Sequence, residues 1–220
     1  MPSAVRTIGI LGAGRVGTAL ARQALKAGYE VLIASTRPQA ESALIVELLA
    51  PGARQVGTEA AARDSDIVVL ALPLGKYRSL RPETLAGKIV IDAMNYWPPI
   101  DGILPEFDRG SSSSEVVRRF LPQARLVRTL NHIGYHELEE QGRPPGHPER
   151  QALALAGDDA DARQAVAGFI DRLGYDPVDA GELAAGQKFN AGTPIFGAQL
   201  RHDEMVSLLQ RDSLQAKAAE

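Results

Sequence analysis

Six consecutive residues near the start of the chain decide the fold: Gly12-Ala13-Gly14-Arg15-Val16-Gly17. They follow the short apolar run Thr7–Leu11, which is typical of a buried strand, and they precede a helical pattern of leucines and alanines that ends at Gly28. A second apolar run, Glu30–Ala34, comes next. Strand, turn, helix and strand together span about 30 residues, the length of one βαβ unit. The stretch therefore predicts a helix that begins at the glycines and joins two parallel strands.

The same alternation of apolar runs and helical patterns continues along the chain. Helices are expected over residues 38–49 and 158–173, and strands over residues 66–71, 88–92, 125–130, 151–156 and 175–179. Strands that are apolar throughout are typical of a parallel sheet that helices cover on both faces. We therefore expect an α/β fold of the Rossmann type, with a doubly wound, mainly parallel sheet and a small C-terminal lobe.

A loop rich in glycine and proline, residues 142–149, marks the expected boundary between the two parts. The Rossmann domain is expected to cover residues 1–145. A smaller C-terminal α/β lobe, residues 146–220, is expected to pack on it.

The composition excludes several classes of protein. Of the 220 residues, 45% are hydrophobic and 23% are charged, and the formal net charge is −3, so no basic surface for nucleic acid is expected. The chain has no cysteine, which excludes disulfides, thiolate nucleophiles and cysteine-ligated metals. Because neither a secretory leader pattern nor a membrane-spanning apolar run is found, we expect a cytoplasmic protein without a membrane partner.

Each glycine of the turn has a physical reason to be there in a dinucleotide-binding site. Gly12 permits the tight turn, Gly14 lets the backbone approach a pyrophosphate, and Gly17 lets the helix pack closely on the strand. The free N–H groups at the start of that helix then face the anion. The alternative is a glycine turn that binds no ligand, but the motif stands between a strand and a helix, as a dinucleotide site requires.

The end of the second strand indicates which dinucleotide is bound. NAD-binding folds usually carry Asp or Glu there, which bonds the ribose 2′-OH and repels a 2′-phosphate. This chain has Ser35, Thr36 and Arg37 instead, which offer two hydroxyls and a guanidinium. We therefore expect NADP as the cofactor. The alternative is that Arg37 is a solvated residue at the start of a helix and that Ser35 only forms the turn.

Seven stretches, taken in order, give the chain a resemblance to a known family. They are residues 9–17, 34–37, 69–74, 89–95, 130–133, 156–159 and 173–181. On these stretches, and over nearly its whole length, the chain resembles the NADP oxidoreductases that use the deazaflavin coenzyme F420. The resemblance implies an enzyme that passes a hydride between the nicotinamide C4 and the C5 of coenzyme F420, its second substrate. Such a step needs two rings held close and dry, and no obligatory acid or base.

The resemblance also implies roles for individual residues. Ser35, Thr36 and Arg37 are expected to hold the 2′-phosphate. Asn131 and His132 are expected at the catalytic centre, where the nicotinamide meets the second ring. The full set of expected cofactor-binding residues is Gly12, Ala13, Gly14, Arg15, Val16, Gly17, Ser35, Thr36, Arg37, Ala71, Leu72, Pro73 and Asn95.

Two interpretations of His132 stay open. Imidazole titrates near neutral pH, so the ring can donate a proton to the second substrate or form a wall of its pocket. Alternatively, it is a loop histidine whose ring is bonded to backbone. His136 lies four residues on, and a helix would place both rings on one face, as in some metal sites. Because no carboxylate completes such a motif, no metal is expected.

Other residues lie near the expected ligand edge of the sheet. Asp92 is expected to cap the turn after its strand, and Asn95 to contact the ligand or to fix the loop around Trp97. Trp97 is expected to anchor the core or an interface, with stacking on a planar ring as the alternative. Tyr77 is expected either to flank the nicotinamide or to lie exposed. The serines at 111–114 are expected to cap a helix, whose start offers a second place for an anion.

Three functions remain open from the sequence. The first is hydride transfer between NADP(H) and coenzyme F420 or a flavin-like acceptor. The second is NADPH-dependent reduction of another small substrate, such as an imine, a hydroxy acid or a ferric chelate, although imine and hydroxy-acid reductases usually add a long helical dimerisation domain. The third is a non-catalytic NADP-binding sensor. A homodimer is also expected, because a partner would cover the short C-terminal lobe.

Overall fold

The structure is a computed structural model that describes residues 5–107 and 112–217. Its strands are β1 (Thr7–Leu11), β2 (Glu30–Ala34), β3 (Arg54–Gln55), β4 (Ile67–Leu70), β5 (Ile89–Asp92), β6 (Arg125–Arg128), β7 (Ala152–Gly157) and β8 (Asp176–Asp179). Its α-helices are α1 (Arg15–Lys26), α2 (Gln39–Leu49), α3 (Thr58–Arg63), α4 (Pro82–Leu85), α5 (Pro98–Asp101), α6 (Ser113–Phe120), α7 (Tyr135–Glu140), α8 (Ala160–Leu173) and α9 (His202–Lys217). Two 3₁₀ helices span Leu74–Ser79 and Leu183–Phe189. No helix in the described part of the chain is long and apolar enough to cross a membrane.

The described strands form one sheet of eight, in the order β3-β2-β1-β4-β5-β6-β7-β8. Neighbouring strands run parallel, except that β6 and β7 are antiparallel. β1 pairs with β2 on one side and with β4 on the other, so the direction of winding reverses there. This order confirms the doubly wound, mainly parallel α/β sheet. Ligands of such sheets bind beyond the carboxyl ends of the strands at the reversal, where Gly12 follows β1.

Both faces of the central strands are buried. In β4, Ile67 and Val69 belong to the core beneath α1 and α8, whereas Val68 and Leu70 belong to the core on the opposite face. Successive side chains of a strand point to opposite faces, so a strand covered on both faces needs an apolar residue at every position. The uninterrupted apolar runs of the sequence have this cause.

The sheet continues across the boundary expected between residues 145 and 146. β6 and β7 pair at two positions, Val127 with Gly157 and Arg128 with Ala156. Because β7 runs against β6 and begins at Ala152, its first four residues lie beyond the carboxyl end of β6. β8 pairs in parallel with β7. The C-terminal part, from β7 onward, therefore projects beyond the sheet edge where ligands of this fold bind. We call this part the C-terminal wall.

Several local features differ from the sequence expectation. The sequence pattern predicts neither β3, which has two residues, nor α3, which has six. The sequence pattern also does not predict α5, a helix of four residues in the stretch after β5. At the start of α6, the N-cap Ser112 donates its backbone N–H to the Glu115 carboxylate (2.9 Å), as in a capping box. Ser111, which belongs to the same expected capping run, lies outside the described residues.

Candidate functional site

The three glycines of the turn meet three different steric conditions. Gly12 has φ +128°, and a Cβ there would overlap the carbonyl of Ala71 after β4. A Cβ on Gly17 would overlap the carbonyl oxygen of Gly12, so Gly17 lets α1 begin directly against the turn. At Gly14, nothing lies within 4 Å of the place that a Cβ would take. The turn is thus tight at Gly12, closely packed at Gly17 and open to a ligand at Gly14.

The first turn of α1 is free to receive an anion. Gly14 is its N-cap and supplies no capping side chain, and the first turn holds no acidic residue. The N–H groups at the start of a helix have no partner inside it, and the helix dipole makes this end positive. A pyrophosphate over Gly14 would therefore meet free donors and a favourable field. Arg15, in the same turn, is exposed and adds a positive charge nearby.

A cleft of about 320 Å³, called here the first cleft, opens between the glycine turn and the ends of β2 and β4. It brings together nine of the expected cofactor-binding residues, namely Gly12, Ala13, Gly14, Ser35, Thr36, Arg37, Ala71, Leu72 and Pro73. The rest of its lining is Leu11, Ala34, Thr58, Lys76, Ser79 and Leu80. The lining therefore holds two cations and four hydroxyls and no carboxylate. This composition suits a phosphate group.

Sequence reasoning missed three polar residues of the first cleft, Thr58, Lys76 and Ser79. Thr58 begins α3, which packs on β1 and β2. Lys76 lies in the 3₁₀ helix after Pro73, and it reaches the cleft because β4 lies beside β1. The one signal for Lys76 in the sequence is its place three residues after Pro73, in a loop that starts at the ligand edge of the sheet.

A second cleft, also of about 320 Å³, reaches the start of α1 from the ends of β5 and β6. Four expected site residues line it: Val16, Asn95, Asn131 and His132. The segment after β6, the first residue before β7 and the C-terminal tail supply the others, which are Ile133, Gly134, Tyr135, Glu137, Gln141, Gln151, Phe196, Gly197, Ala198 and Gln199. Glu137 is the one carboxylate of this lining, which contains no Lys or Arg. Arg15 and Gly17 line neither cleft.

A strained residue directs the loop after β6. Leu130 has φ +63°, in the left-handed region that residues with a bulky side chain rarely adopt. Asn131 and His132 follow it, and both are buried. The Asn131 side chain donates to the carbonyl of Phe189 (2.8 Å), which ties this loop to the C-terminal part. Such strain persists only where the surrounding structure enforces it, and it is frequent at functional sites.

His132 is held by its neighbours at both ring nitrogens. The Ala154 N–H donates to Nε2 (3.1 Å), and Nδ1 lies 3.3 Å from the Asn131 side-chain oxygen. Because Nε2 accepts, the ring proton is assigned to Nδ1, from which it is donated to Asn131. Burial, and to a smaller extent the charge of Arg128, lowers the pKa of His132 to about 3. The ring is therefore neutral near pH 7, and this geometry is that of a loop histidine bonded to backbone rather than of a proton donor.

A buried arginine that sequence reasoning missed connects the loops of the site. Arg128, at the end of β6, is 1% exposed and donates to the carbonyl of Met94. Its Nη2 donates to the side-chain oxygens of Asn95 (3.2 Å) and Asn190 (2.8 Å). Asn95 in turn donates to the carbonyl of Asn131 (2.7 Å). Asn95 therefore both lines the second cleft and holds the loops after β5 and β6 together.

Asp92 is fully buried beneath this network. One carboxylate oxygen lies 3.4 Å from Nη1 of Arg128 and accepts from the Ser114 hydroxyl (2.5 Å). The other accepts the N–H of Met94 (3.0 Å), which is the turn cap that the sequence predicts. Burial lowers the pKa of the Arg128 guanidinium, and the charge of Asp92 opposes that shift. The ion pair is thus part of the support beneath the second cleft.

Two aromatic side chains, Trp97 and Tyr77, lie elsewhere than expected. Trp97 is 51% exposed at the N-cap of α5, so the expectation of a core anchor is wrong. Tyr77 is buried with its ring edge-on to Phe107 and Phe120, so it neither flanks the first two clefts nor lies exposed. The ring of His136 lies against Tyr135. Within residues 5–107 and 112–217, no group of three or more His, Cys, Asp or Glu side chains is arranged to hold a metal ion.

Residues 7–96 match the model of a protein family described as NADP oxidoreductase, coenzyme F420-dependent. The match runs from β1 to the loop after β5. It therefore includes the glycine turn and the whole lining of the first cleft, together with Val16 and Asn95 of the second.

Two solved structures are similar over most of the chain. A hypothetical protein from Sinorhizobium meliloti superposes with a TM-score of 0.78 and 28% sequence identity, over 90% of this chain and 96% of that one. A proposed F420-dependent NADP-reductase from Arthrobacter sp. FB24 superposes with a TM-score of 0.70 and 25% identity, over 84% of this chain and 88% of that one. Both similarities extend well beyond the residues that the family model matches.

Curated relatives are found among longer proteins. The metalloreductase STEAP3 of Rattus norvegicus is 26% identical over 193 residues, which are 87% of this chain and 37% of the relative. The chain spans only about a third of the length of the curated metalloreductases that it matches. Over residues 7–96, the chain is therefore similar to the F420-dependent NADP oxidoreductases, a family of NADP-dependent enzymes.

Proposed function

We propose that the chain binds NADP(H) along the glycine turn and transfers a hydride between it and coenzyme F420, or a flavin-like acceptor, in the second cleft. The observation that carries this proposal is that the two clefts meet at the start of α1, since Gly14 lines the first and Val16 the second. A dinucleotide with its pyrophosphate on that helix start would extend its adenosine half into one cleft and its nicotinamide into the other.

The first cleft supports NADP over NAD. Arg37 and Lys76 supply positive charge, and Ser35 and Thr36 supply hydroxyls at the end of β2. A guanidinium can bond two oxygens of a phosphate at once, whereas a carboxylate at this position would repel it. The residues present therefore fit a 2′-phosphate, in agreement with the NADP dependence of the matched family.

The second cleft suits a hydride transfer that takes no acid or base from the protein. NADPH would supply the hydride, and the proton that accompanies reduction of the acceptor would come from solvent. Val16 offers an apolar contact, while Asn95 and Asn131 offer amides that hydrogen bonds already orient. These side chains position the rings and exclude water, which is the contribution a protein makes when two cofactors carry the chemistry.

The direct test is an assay of NADPH with coenzyme F420 that follows the loss of the deazaflavin's visible absorbance. NADH and FMN serve as parallel alternative substrates. We expect turnover with NADPH and much slower turnover with NADH. If neither F420 nor FMN is reduced while NADPH still binds in a fluorescence titration, the acceptor is wrong and the NADP site stands.

A second candidate function is the reduction of a metal chelate, which the similarity to STEAP3 over 87% of the chain favours. Ferric citrate with NADPH, with and without added FMN, separates the two possibilities. Iron reduction without flavin would make the chelate the direct acceptor. Iron reduction that requires flavin would show that the flavin ring accepts the hydride and then passes electrons on to iron.

A further inference from the structure

A third cleft, of about 320 Å³, adjoins the second and has no residue of α1 in its lining. The two clefts share three side chains, those of Gln141, Gln151 and Gln199. Gln151 donates to the side-chain oxygen of Gln141 (2.8 Å), so these two amides form one fixed side of the passage. A molecule that extended from the second cleft along these side chains would therefore reach the third.

The charge of the lining changes sign between the second cleft and the third. The second cleft has one carboxylate, Glu137, and no Lys or Arg in its lining. The third is lined by Arg143 and Arg201, with Glu149 as its one carboxylate. An anionic group is therefore disfavoured next to the nicotinamide end and favoured on the outer side of the glutamines.

Hydrogen bonds hold the backbone and the side chain of Arg143 in place. Its N–H donates to the carbonyl of Gly174 (2.9 Å), at the end of α8. Its Nη1 donates to the carbonyls of Glu140 (2.8 Å) and Gly142 (3.1 Å), which hold the base of the guanidinium in place. Within the described residues, Nη2 has no hydrogen-bond partner, so this nitrogen is free to bond a ligand.

Arg201 is similarly anchored through its backbone. The carbonyl of the preceding residue, Leu200, accepts from the N–H of Ala152 (2.8 Å), at the start of β7. The backbone N–H of Arg201 donates to the Glu204 carboxylate (2.8 Å) at the start of α9. The side chain is exposed, and no partner for it is found in the described part of the chain.

We propose that the third cleft binds the anionic tail, a phosphate or a carboxylate, of the acceptor whose ring occupies the second cleft. This inference rests on the proposed function, because it takes the second cleft as the place where the hydride is received. Arg143 and Arg201 donate to the tail, and guanidinium groups match the oxygens of phosphates and carboxylates. Glu137 opposes the reversed orientation, with the anion towards the nicotinamide. The acceptor is an elongated molecule with an uncharged ring at one end and an anion at the other.

Riboflavin and FMN test the tail site because they share one ring and differ by a phosphate. Binding is measured by quenching of flavin fluorescence, with NADP⁺ at saturation so that no turnover occurs. We expect FMN to bind the protein about tenfold more tightly than riboflavin, since a hydrogen bond to a charged group contributes at least that much.

Arg143→Gln and Arg201→Gln remove a charge and keep a polar side chain. Each is expected to lower FMN affinity about three- to tenfold and to leave riboflavin affinity unchanged. Arg119→Gln is the matched control, an exposed arginine in α6 that lines none of the three clefts. Three results would overturn the tail site. They are equal affinity for FMN and riboflavin, an equal loss of affinity for both flavins in the arginine variants, and no binding of either flavin. NADPH affinity, titrated separately, is expected to stay unchanged in these variants, and its absence in the parent protein would overturn the proposed function instead.

Discussion

Arg37 and Lys76 supply the positive charge of the first cleft, and Glu137 supplies the negative charge of the second. Ser35, Thr36 and Arg37 could be predicted from sequence because they directly follow a strand whose end faces the ligand in this fold. Arg128 could not, because a charged residue at the end of a strand is usually exposed. Its burial depends on Asp92, which lies one strand away in the sheet.

Arg37→Ala is expected to weaken NADPH binding by about ten- to a hundredfold and NADH binding by less than about twofold, because only NADPH carries the 2′-phosphate. Fluorescence titration with both dinucleotides measures the difference. Glu41→Ala, an exposed change in the first turn of α2, is the control. Equal losses for NADPH and NADH would contradict the role of Arg37 at the 2′-phosphate.

His132 predicts a pH dependence of stability. Burial, followed by the charge of Arg128, lowers its folded-state pKa to about 3, whereas an unfolded histidine titrates near about 6.5. The unfolded chain therefore takes up the proton first, so this contribution is complete above about pH 6.5 and is lost as the pH falls towards the folded pKa. At about pH 5.5 the loss amounts to about 1.4 kcal/mol.

The measurement is urea unfolding at about pH 7.5 and about pH 5.5 for the parent protein and for His132→Gln, which cannot be protonated there. We expect the parent to lose more free energy of unfolding than the variant between the two pH values. His202→Gln, at an exposed position, should behave as the parent does. The same loss in His132→Gln and in the parent would show that this ring is not the group responsible.

The helices, strands and turns that follow from a pattern in neighbouring residues could be predicted from the sequence. Those that depend on contacts between distant parts of the chain could not. The glycine turn is set by steric rules that involve only one strand, one turn and one helix. The sequence on either side of it is therefore enough to predict it. β3 consists of Arg54–Gln55, a pair with no apolar residue to signal a strand. The antiparallel direction of β7 depends on the path of residues 129–151, which no periodic pattern encodes.

The glycine turn makes a prediction that separates binding from folding. Gly14→Ala is expected to weaken NADPH binding at least about tenfold, because its methyl group would enter the space open to the pyrophosphate, with little change in thermal stability. Gly17→Ala is expected to lower both NADPH affinity and thermal stability, since its methyl group would overlap the carbonyl of Gly12. Thermal unfolding followed by circular dichroism, together with NADPH titration, measures the two effects. A Gly14→Ala protein that binds NADPH normally would contradict the placement of the pyrophosphate.

For the whole molecule, the strand order brings residues that are distant in sequence to one edge of the sheet. Alternating strands and helices were enough to predict a doubly wound, mainly parallel sheet, which has few arrangements, but not the full strand order. The C-terminal wall beside that edge could not be predicted. Its contacts are individual hydrogen bonds, such as those of Arg128 to Asn190 and of Asn131 to Phe189.

Arg128 therefore connects the central sheet to the wall, and its loss should be felt across the molecule. Arg128→Met leaves Asp92 buried without its ionic partner, and we expect it to lower the free energy of unfolding by about 3–5 kcal/mol. Adding Asp92→Asn removes the uncompensated charge and should recover part of that loss. Denaturant unfolding of the two single variants and the double variant measures the coupling. Fully additive effects would contradict a direct interaction between the two side chains.

The wall has a consequence for how chains of this kind diversify. Phe196, Gly197, Ala198 and Gln199 line the second cleft, and no residue after Leu80 lines the first. Inherited changes in this late segment can reshape the second cleft while the lining of the first keeps its form. Under the proposed function, such changes would alter which redox partner is accepted without altering which coenzyme is bound.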